Sequence, residues 1–310
     1  MSTVYITHPD CQRHEMGAGH PENPERLKSV NESVLSSDTI EGLRTLEAPL
    51  AEAAQLARVH TPSYVDLIFE NAPQSGYLRL DPDTTMNPFS LAAARRAAGA
   101  GILAVDELME GGARNAFCAV RPCGHHATRN RPMGFCIFNN VAVAAAHALE
   151  QRGLERVAIV DFDVHHGNGT EDIFSEPAWR ERVLMSGFFQ HPFYPYSGTE
   201  DPAPNMVNIP LAAGSGGAAA RETFERHVLP ALEGFRPQII FISAGFDAHE
   251  EDLLGGLALV ESDYAWMTRA LTEVAERHAN GRIVSMLEGG YNLAALGRSA
   301  VAHVRALADE

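Results

Sequence analysis

The feature that most constrains this chain is a repeated alternation. Short runs that are apolar almost throughout each lead into a polar cluster and then into a longer helix-favouring stretch. The runs are Met1–Thr7, Asn115–Val120, Arg156–Asp161, Val183–Ser186, Gln238–Ser243 and Ile283–Leu287, rich in Val, Ile, Phe and Leu. A strand with one wet face alternates apolar and polar residues; a run without alternation fits a strand buried on both faces, as in a parallel sheet. Between the runs lie Glu25–Leu35, Pro88–Glu110, Asn139–Gln151, Gly217–Leu232 and Glu261–Ala279. Asn23 before Pro24 reads as an N-cap followed by proline in the first helical turn, and the others are rich in Ala, Leu and Glu. Strand–helix alternation of this kind predicts an α/β fold, an open parallel β-sheet with helices on both faces, as a single domain over residues 1–310. The stretch Phe188–Pro204, rich in aromatics, Pro and Gly, is expected to be a long loop that shapes a site.

Composition sets limits on partners. The 310 residues carry 24 Lys plus Arg against 40 Asp plus Glu, a net charge of −16. Nucleic-acid binders carry a basic stripe, and none is visible, so nucleic acid is not an expected partner. An acidic surface favours cationic substrates, although it also serves solubility. No apolar run is long enough to span a bilayer, so no membrane is expected. The four cysteines, Cys11, Cys118, Cys123 and Cys136, include no C-x-x-C pair, and so few in a chain this long read as reduced thiols. The expected location is the cytoplasm.

The chemistry-bearing residues sit where apolar runs end. In RVAIVDFDVHHGNGT, residues 156–170, the run ends at Asp161, and Asp163 and His165 follow two apart, a spacing that puts both side chains on one side of an extended chain. In QIIFISAGFDAHEED, residues 238–252, Asp247 lies just beyond another run; in RIVSMLEGGYN, residues 282–292, Gly289 and Gly290 present Tyr291. In open α/β sheets the carboxyl ends of the strands form the ligand crevice, so the clusters are expected to converge. One Asp after a strand is commonly a helix cap, but several carboxylates and histidines brought together need a partner or a metal. A fourth cluster, RPCGHHATRNRPMGFCIFNN at residues 121–140, places His125 and His126 side by side after a strand. These could be surface residues, metal ligands or a general acid and base.

RPCGHHA, GFCIFNN, DFDVHHGNGT, SAGFDAH and LEGGYN, in this order over most of residues 115–295 and preceded by HPENPERL, give a chain that resembles the zinc-dependent histone deacetylase superfamily, which has the arginase-like α/β fold. Asn168 and Glu288 are similar to class II members; Cys123 departs from the family's usual Pro before GHH. The resemblance implies a zinc-dependent amidohydrolase. Asp163, His165 and Asp247 would hold Zn²⁺, three ligands that leave a position open for water and substrate. His126 would be the general base and acid, His125 its electrostatic support, and Tyr291 the donor to the oxyanion. Asp161 and Asn168 would orient His125 and His126. Asp161, with carbonyls of Asp163, His165 and Ser186, resembles a structural K⁺ site. Gly134, Phe135, Tyr194 and Leu254 correspond to a narrow substrate tunnel, and Arg26 to an arginine at the pocket floor.

The implied substrate is N-acetyl-lysine in a protein or peptide. Deacetylation of an acetylated polyamine or another small amine is the alternative. Polyamine-specific relatives place an acidic residue where this chain has Leu254, although Glu250, Glu251 and Asp252 lie close by in sequence. A non-catalytic acyl-lysine binder would lack a ligand or the tyrosine, and an arginase-type enzyme would need a second full metal site. Of the remaining residues, His166 and His249 are expected to be structural, His8, His14 and His20 to cap or rim the pocket, and Phe188 and Phe189 to lie in the core. The stretch AAGSGGAAA, residues 212–220, lacks the lysine of a phosphate loop and is expected to be a plain loop before a helix.

Overall fold

The computed structural model describes residues 3–36, 40 and 42–308. Ten strands are present among them: β1 Thr3–Thr7, β2 Arg44–Glu47, β3 Leu78–Arg79, β4 Thr85–Met86, β5 Asn115–Cys118, β6 Val157–Asp161, β7 Val183–Gln190, β8 Met206–Leu211, β9 Ile240–Ala244 and β10 Ile283–Leu287. Eight of them form one sheet in the order β2-β1-β5-β10-β9-β6-β7-β8, and every pairing in it is parallel. The expected architecture is therefore found: a single domain built on an open parallel sheet between helices. The six apolar runs all supply strands of this sheet. Of the first run, Met1 and Ser2 lie outside the described residues.

The runs buried on both faces occupy the middle of the sheet. Strands β5, β6, β9 and β10 have every residue buried. The two edges carry no such run. Strand β2, RTLE, is largely exposed, and β8, MVNIPL, is half-exposed with Pro210 in it. Proline lacks the ladder N–H and is tolerated at an edge.

Two boundaries differ from expectation. Strand β7 continues to Gln190, because Phe188 and Phe189 pair with Ile209 and Pro210; the loop begins only at His191. Both phenylalanines are buried, as core residues. The stretch 212–220 is loop only to Gly216, and the helix begins at Gly217. That helix is not uniform to Leu232: it runs Gly217–Thr223, makes a π turn over Phe224–Val228 and resumes at Leu229–Phe235. Pro230 would clash with the carbonyl four residues earlier in a regular helix, and a π turn relieves that contact.

Side-chain caps fix the helix starts that border the crevice. Asn23 accepts from the Glu25 amide, Asn139 from Ala142 and Asn292 from Ala295, each at 3.0–3.1 Å. Among the described residues no helix is long and apolar enough to cross a membrane.

Candidate active site

The carboxyl ends of β5, β6, β9 and β10 meet at one crevice, as expected of an open parallel sheet. The β6 end delivers Asp161, Asp163 and His165, the β9 end Asp247, the β10 end Glu288 to Tyr291, and the β5 end His125 and His126.

Asp163, His165 and Asp247 converge with ligand atoms within 4.8 Å of one another. His165 Nδ1 is 3.0 Å from Asp163 Oδ1 and 3.2 Å from Asp247 Oδ2. Backbone amides hold the other edges: Gly289 N donates to Asp163 Oδ2 at 2.9 Å and Val164 N to Asp247 Oδ1 at 3.0 Å. Both carboxylates are fully buried, and Asp247 Oδ2 has no hydrogen-bond partner among the described residues. A buried carboxylate oxygen left bare is costly. Burial and the neighbouring Asp163 charge push Asp247 up to about 7. Burial would lower His165, yet the two carboxylates raise it to about 10. The cluster thus calls for a positive charge among its three donor atoms. Gly289 is required here, because a Cβ at that position would collide with the Asp247 carboxylate.

The two adjacent histidines are distinguished by their partners. His125 Nδ1 is 2.9 Å from Asp161 Oδ2, whereas His126 Nδ1 is 2.7 Å from Asn168 Oδ1. Burial opposes charge on both. For His125 the Asp163 and Asp161 carboxylates overcome burial and raise it well above the ordinary range. For His126 burial and the adjacent His125 charge drive it well below. Asp161 and Asn168 therefore stand where the sequence put them, each behind its histidine. Asp161 Oδ1 also accepts from the Asp163 amide at 3.0 Å. Ser186 pairs with Val160 next to Asp161, and its buried hydroxyl has no partner among the described residues.

A cavity of about 430 Å³ leads to this floor. It is lined by His126, Gly134, Phe135, His165, Phe193, Tyr194, Leu254 and Tyr291, among others, so the four expected tunnel residues all reach it. Gly134 has φ +56, and a Cβ there would run into the His126 ring. The Tyr291 ring is edge-on to Phe135 at 6.0 Å, with the Arg26 guanidinium 4.8 Å from its centroid. Its hydroxyl makes no hydrogen bond to the described residues, and burial first of all pushes the phenol well up, so that it stays a donor. The tyrosine's backbone is fixed instead: Asp252 Oδ2 accepts from the amides of Tyr291 and Asn292 at 2.7 and 3.1 Å. Arg26 donates to the carbonyls of Glu288 and Gly290 from beneath.

Several functional neighbours escaped the sequence reading. Phe193 stacks on His165 at 5.4 Å and 20° and walls the tunnel; it lay in the aromatic loop already singled out, one residue from Tyr194. Asp83 accepts from the Gly134 amide at 3.0 Å and lines the tunnel with Tyr194. Glu22 is buried between Arg26 and Arg121, 3.0 Å from Arg26 Nη1 and 2.6 Å from Arg121 Nη2. Among the minor histidines, His8 caps a turn by accepting from the Asp10 amide, and His20 is not a lining residue of the cavity but packs edge-on against Phe135, which is. His14 neither caps nor rims: it is fully buried, 2.6 Å from Ser90 Oγ and beside Glu22, because the loop carrying it folds under the Glu22–Arg121 pair. His166 and His249 are structural, bonded to Ser197 and to the Glu251 amide.

Buried carboxylates and an imidazole around one bare oxygen, with a neutral and a charged histidine beside them at the end of an apolar tunnel, define a hydrolase. Residues 20–307 match the histone deacetylase domain family. The chain is 40% identical over 282 residues to a histone deacetylase-like amidohydrolase of Pseudomonas aeruginosa, covering 89% of this chain and 73% of that one. It is 35% identical to a probable deacetylase of Archaeoglobus fulgidus, covering 94% and 82%. The crystal structure of the HDA15 HD domain superposes with a TM-score of 0.93 at 35% identity, covering 100% of this chain and 90% of that one. The chain belongs to the histone deacetylase family and is a deacetylase of that family.

Proposed function

We propose that this deacetylase removes the acetyl group from the side-chain amine of lysine in a protein or peptide, with Asp163, His165 and Asp247 holding a zinc ion. The observation that carries the reading is the bare, buried Asp247 Oδ2 beside His165 Nδ1, with His165 lining the tunnel together with His126 and Tyr291. Two carboxylates and an imidazole are a donor set that zinc accepts, with an open position left for water and substrate. When bound there, zinc supplies a Lewis acid that polarises the amide carbonyl and acidifies water.

The chain's own groups then divide the work. His126 keeps its Nδ1 proton on the Asn168 oxygen, which leaves Nε2 free to take a proton from the attacking water and return it to the departing amine. His125, charged against Asp161, adds positive potential beside the forming oxyanion. The Tyr291 hydroxyl, uncommitted elsewhere, donates to that oxygen. Phe135, Phe193 and Tyr194 hold an aliphatic stem and exclude water. Asp161, with the carbonyls of Asp163, His165 and Ser186, forms a structural potassium site; the unpartnered Ser186 hydroxyl lies beside it as a further donor.

A small polyamine is the weaker substrate. Leu254 lines the tunnel, and two of the three acidic residues near it are engaged, Asp252 by the amides of Leu254, Tyr291 and Asn292 and Glu251 by Arg298, while Glu250 is exposed. The net charge of −16 suits a lysine-rich peptide. All four cysteines are free thiols, which supports a reducing, cytoplasmic setting. The test is turnover of the zinc-loaded protein on acetyl-lysine peptides beside acetylated polyamines. Higher kcat/KM on the peptides is expected; the reverse order would replace lysine by polyamine.

A further inference from the structure

Two cysteines lie beside the site and take no part in the reaction just described. Cys136 Sγ is 3.5 Å from Cys123 Sγ, and both sulfurs lie near the Gly134 carbonyl, at 3.3 and 3.8 Å. Both are buried, and with Ala127 they make a small apolar cluster apart from the main core, closed by Phe135. Thirteen residues separate them in sequence, so the fold, not local spacing, sets the sulfurs against each other. Each sits on a segment that shapes the site. Cys123 precedes Gly124 and His125, whose amides donate to Glu288 Oε2 at 2.7 and 3.2 Å. Cys136 follows Phe135, which is held at φ 69.

We propose that Cys123 and Cys136 form a reversible disulfide when a hydroperoxide enters the tunnel, and that closing this bond disables the site. Gly134 and Phe135 line the cavity and stand between it and the two buried sulfurs, so the peroxide reaches them where this thin cover gives way. Cys123 is the sulfur oxidised first, because Cys136 Sγ stands as donor to it at 3.5 Å. Its sulfur attacks a peroxide oxygen; an S–O bond forms, the O–O bond breaks and one water leaves. The Cys136 sulfur then attacks the Cys123 sulfur; the S–S bond forms, the S–O bond breaks, and the departing hydroxide takes the Cys136 proton as a second water. Two thiols and one hydrogen peroxide thus give one disulfide and two waters.

The same two thiols and Glu288 have donor atoms within 4.8 Å of one another, a grouping a metal could use. Glu288, however, already accepts from two backbone amides and from Ser243 Oγ, and a cation would have to break those bonds. The dithiol reading needs only that the sulfurs close from 3.5 Å to about 2.05 Å. That closure draws the Gly134–Cys136 segment toward the segment bearing His125 and His126. Gly134 packs on the His126 ring so tightly that no Cβ fits between them. A displacement of about 1 Å in such a site costs on the order of 10²-fold in rate.

The effect on activity rests on the deacetylase reading of His126; the disulfide itself does not. The experiment treats the zinc-loaded, reduced full chain with hydrogen peroxide, unfolds it in iodoacetamide and maps the peptides. The expected result is a cross-link between the Cys123 and Cys136 peptides with loss of two hydrogens, reversed by dithiothreitol, while Cys11 and Cys118 are alkylated. Activity should fall on the order of 10²-fold and return with the thiols, and Cys123→Ala should keep its activity through the same treatment. Alkylation of both thiols after peroxide, oxidation of Cys123 alone to sulfinic acid, or metal blocking both thiols before peroxide is added would each overturn the pair. A cross-link at full activity overturns its effect on the site. An untreated protein inactive on every acetyl-amide counts against the reaction and leaves the cross-link measurement standing.

Discussion

His126 Nδ1 lies 2.7 Å from the Asn168 side-chain oxygen, and 4.0 Å away across the paired rings His125 faces a carboxylate instead. An amide oxygen only accepts and carries no charge, so it fixes the tautomer of His126 and favours the imidazolium less than a carboxylate would. This difference in partner adds to burial, to the Asp163 charge on His125 and to the His125 charge on His126 in setting the two histidines apart.

Asn168→Asp should therefore raise His126 toward the charged form that His125 holds. A carboxylate at this distance raises an imidazole by about one unit or more, and a protonated His126 cannot accept from water. The acid limb of the kcat/KM profile should move to higher pH, with activity at neutral pH reduced. An acid limb at its original pH would remove Asn168 from this role. His126→Ala should slow kcat by about 10²-fold or more with zinc still bound.

The metal assignment predicts that Asp247→Ala loses zinc and activity together. Zinc should also raise the melting temperature of the native chain, because it binds the folded cluster and relieves two buried carboxylates. Metal analysis giving full occupancy in the Asp247→Ala protein would refute the ligand set.

Much of this site was legible from residue order. Each buried central strand announces itself as an unbroken apolar run, and the residues just past its end must sit at the crevice, which placed Asp163, His165, Asp247 and Tyr291. The edge strands β2 and β8 were illegible because half-exposed RTLE and MVNIPL bury too little to need an apolar run. Phe193 was missed for another reason: composition marks a loop as aromatic, but backbone turns decide which ring faces inward. The Glu22–Arg121 pair and the Cys123–Cys136 contact join residues 99 and 13 apart, and no local pattern encodes such a meeting.

The geometry at Tyr291 predicts a transition-state effect. Its ring is held by Phe135 and Arg26, and its backbone by Asp252, so Tyr291→Phe should keep the fold and the melting temperature. Losing one oxyanion donor costs about 10²–10³ in kcat with little change in KM. A lower melting temperature at near-normal kcat would instead make the hydroxyl a structural group.

The last prediction concerns His303, far from the metal ligands in sequence and enclosed by Phe117, Phe162 and Phe246 at 5.6–5.7 Å. Thr268 Oγ1 donates to the Tyr264 carbonyl, so it accepts from His303 Nδ1–H at 2.6 Å, and Nε2 accepts from the Ser285 hydroxyl at 2.7 Å. The ring is thus satisfied in one neutral tautomer. Burial lowers it from 6.5 to about 3. A depressed folded value means that the unfolded chain binds this proton first as pH falls. The stability contributed by neutral His303 is complete above pH 6.5 and is lost on descending toward the folded value of about 3. His303→Asn has no such proton to bind. Chemical denaturation of both proteins, zinc-loaded and in matched buffers, isolates this group from every other titration. The stability advantage of the native chain over the variant should be constant above neutrality. It should shrink by about 1.4 kcal/mol per pH unit once the pH is well below that of the unfolded imidazole. An advantage that stays level from pH 7 to pH 5 would mean that His303 takes up a proton as readily in the fold as outside it, and the neutral tautomer would have to be abandoned.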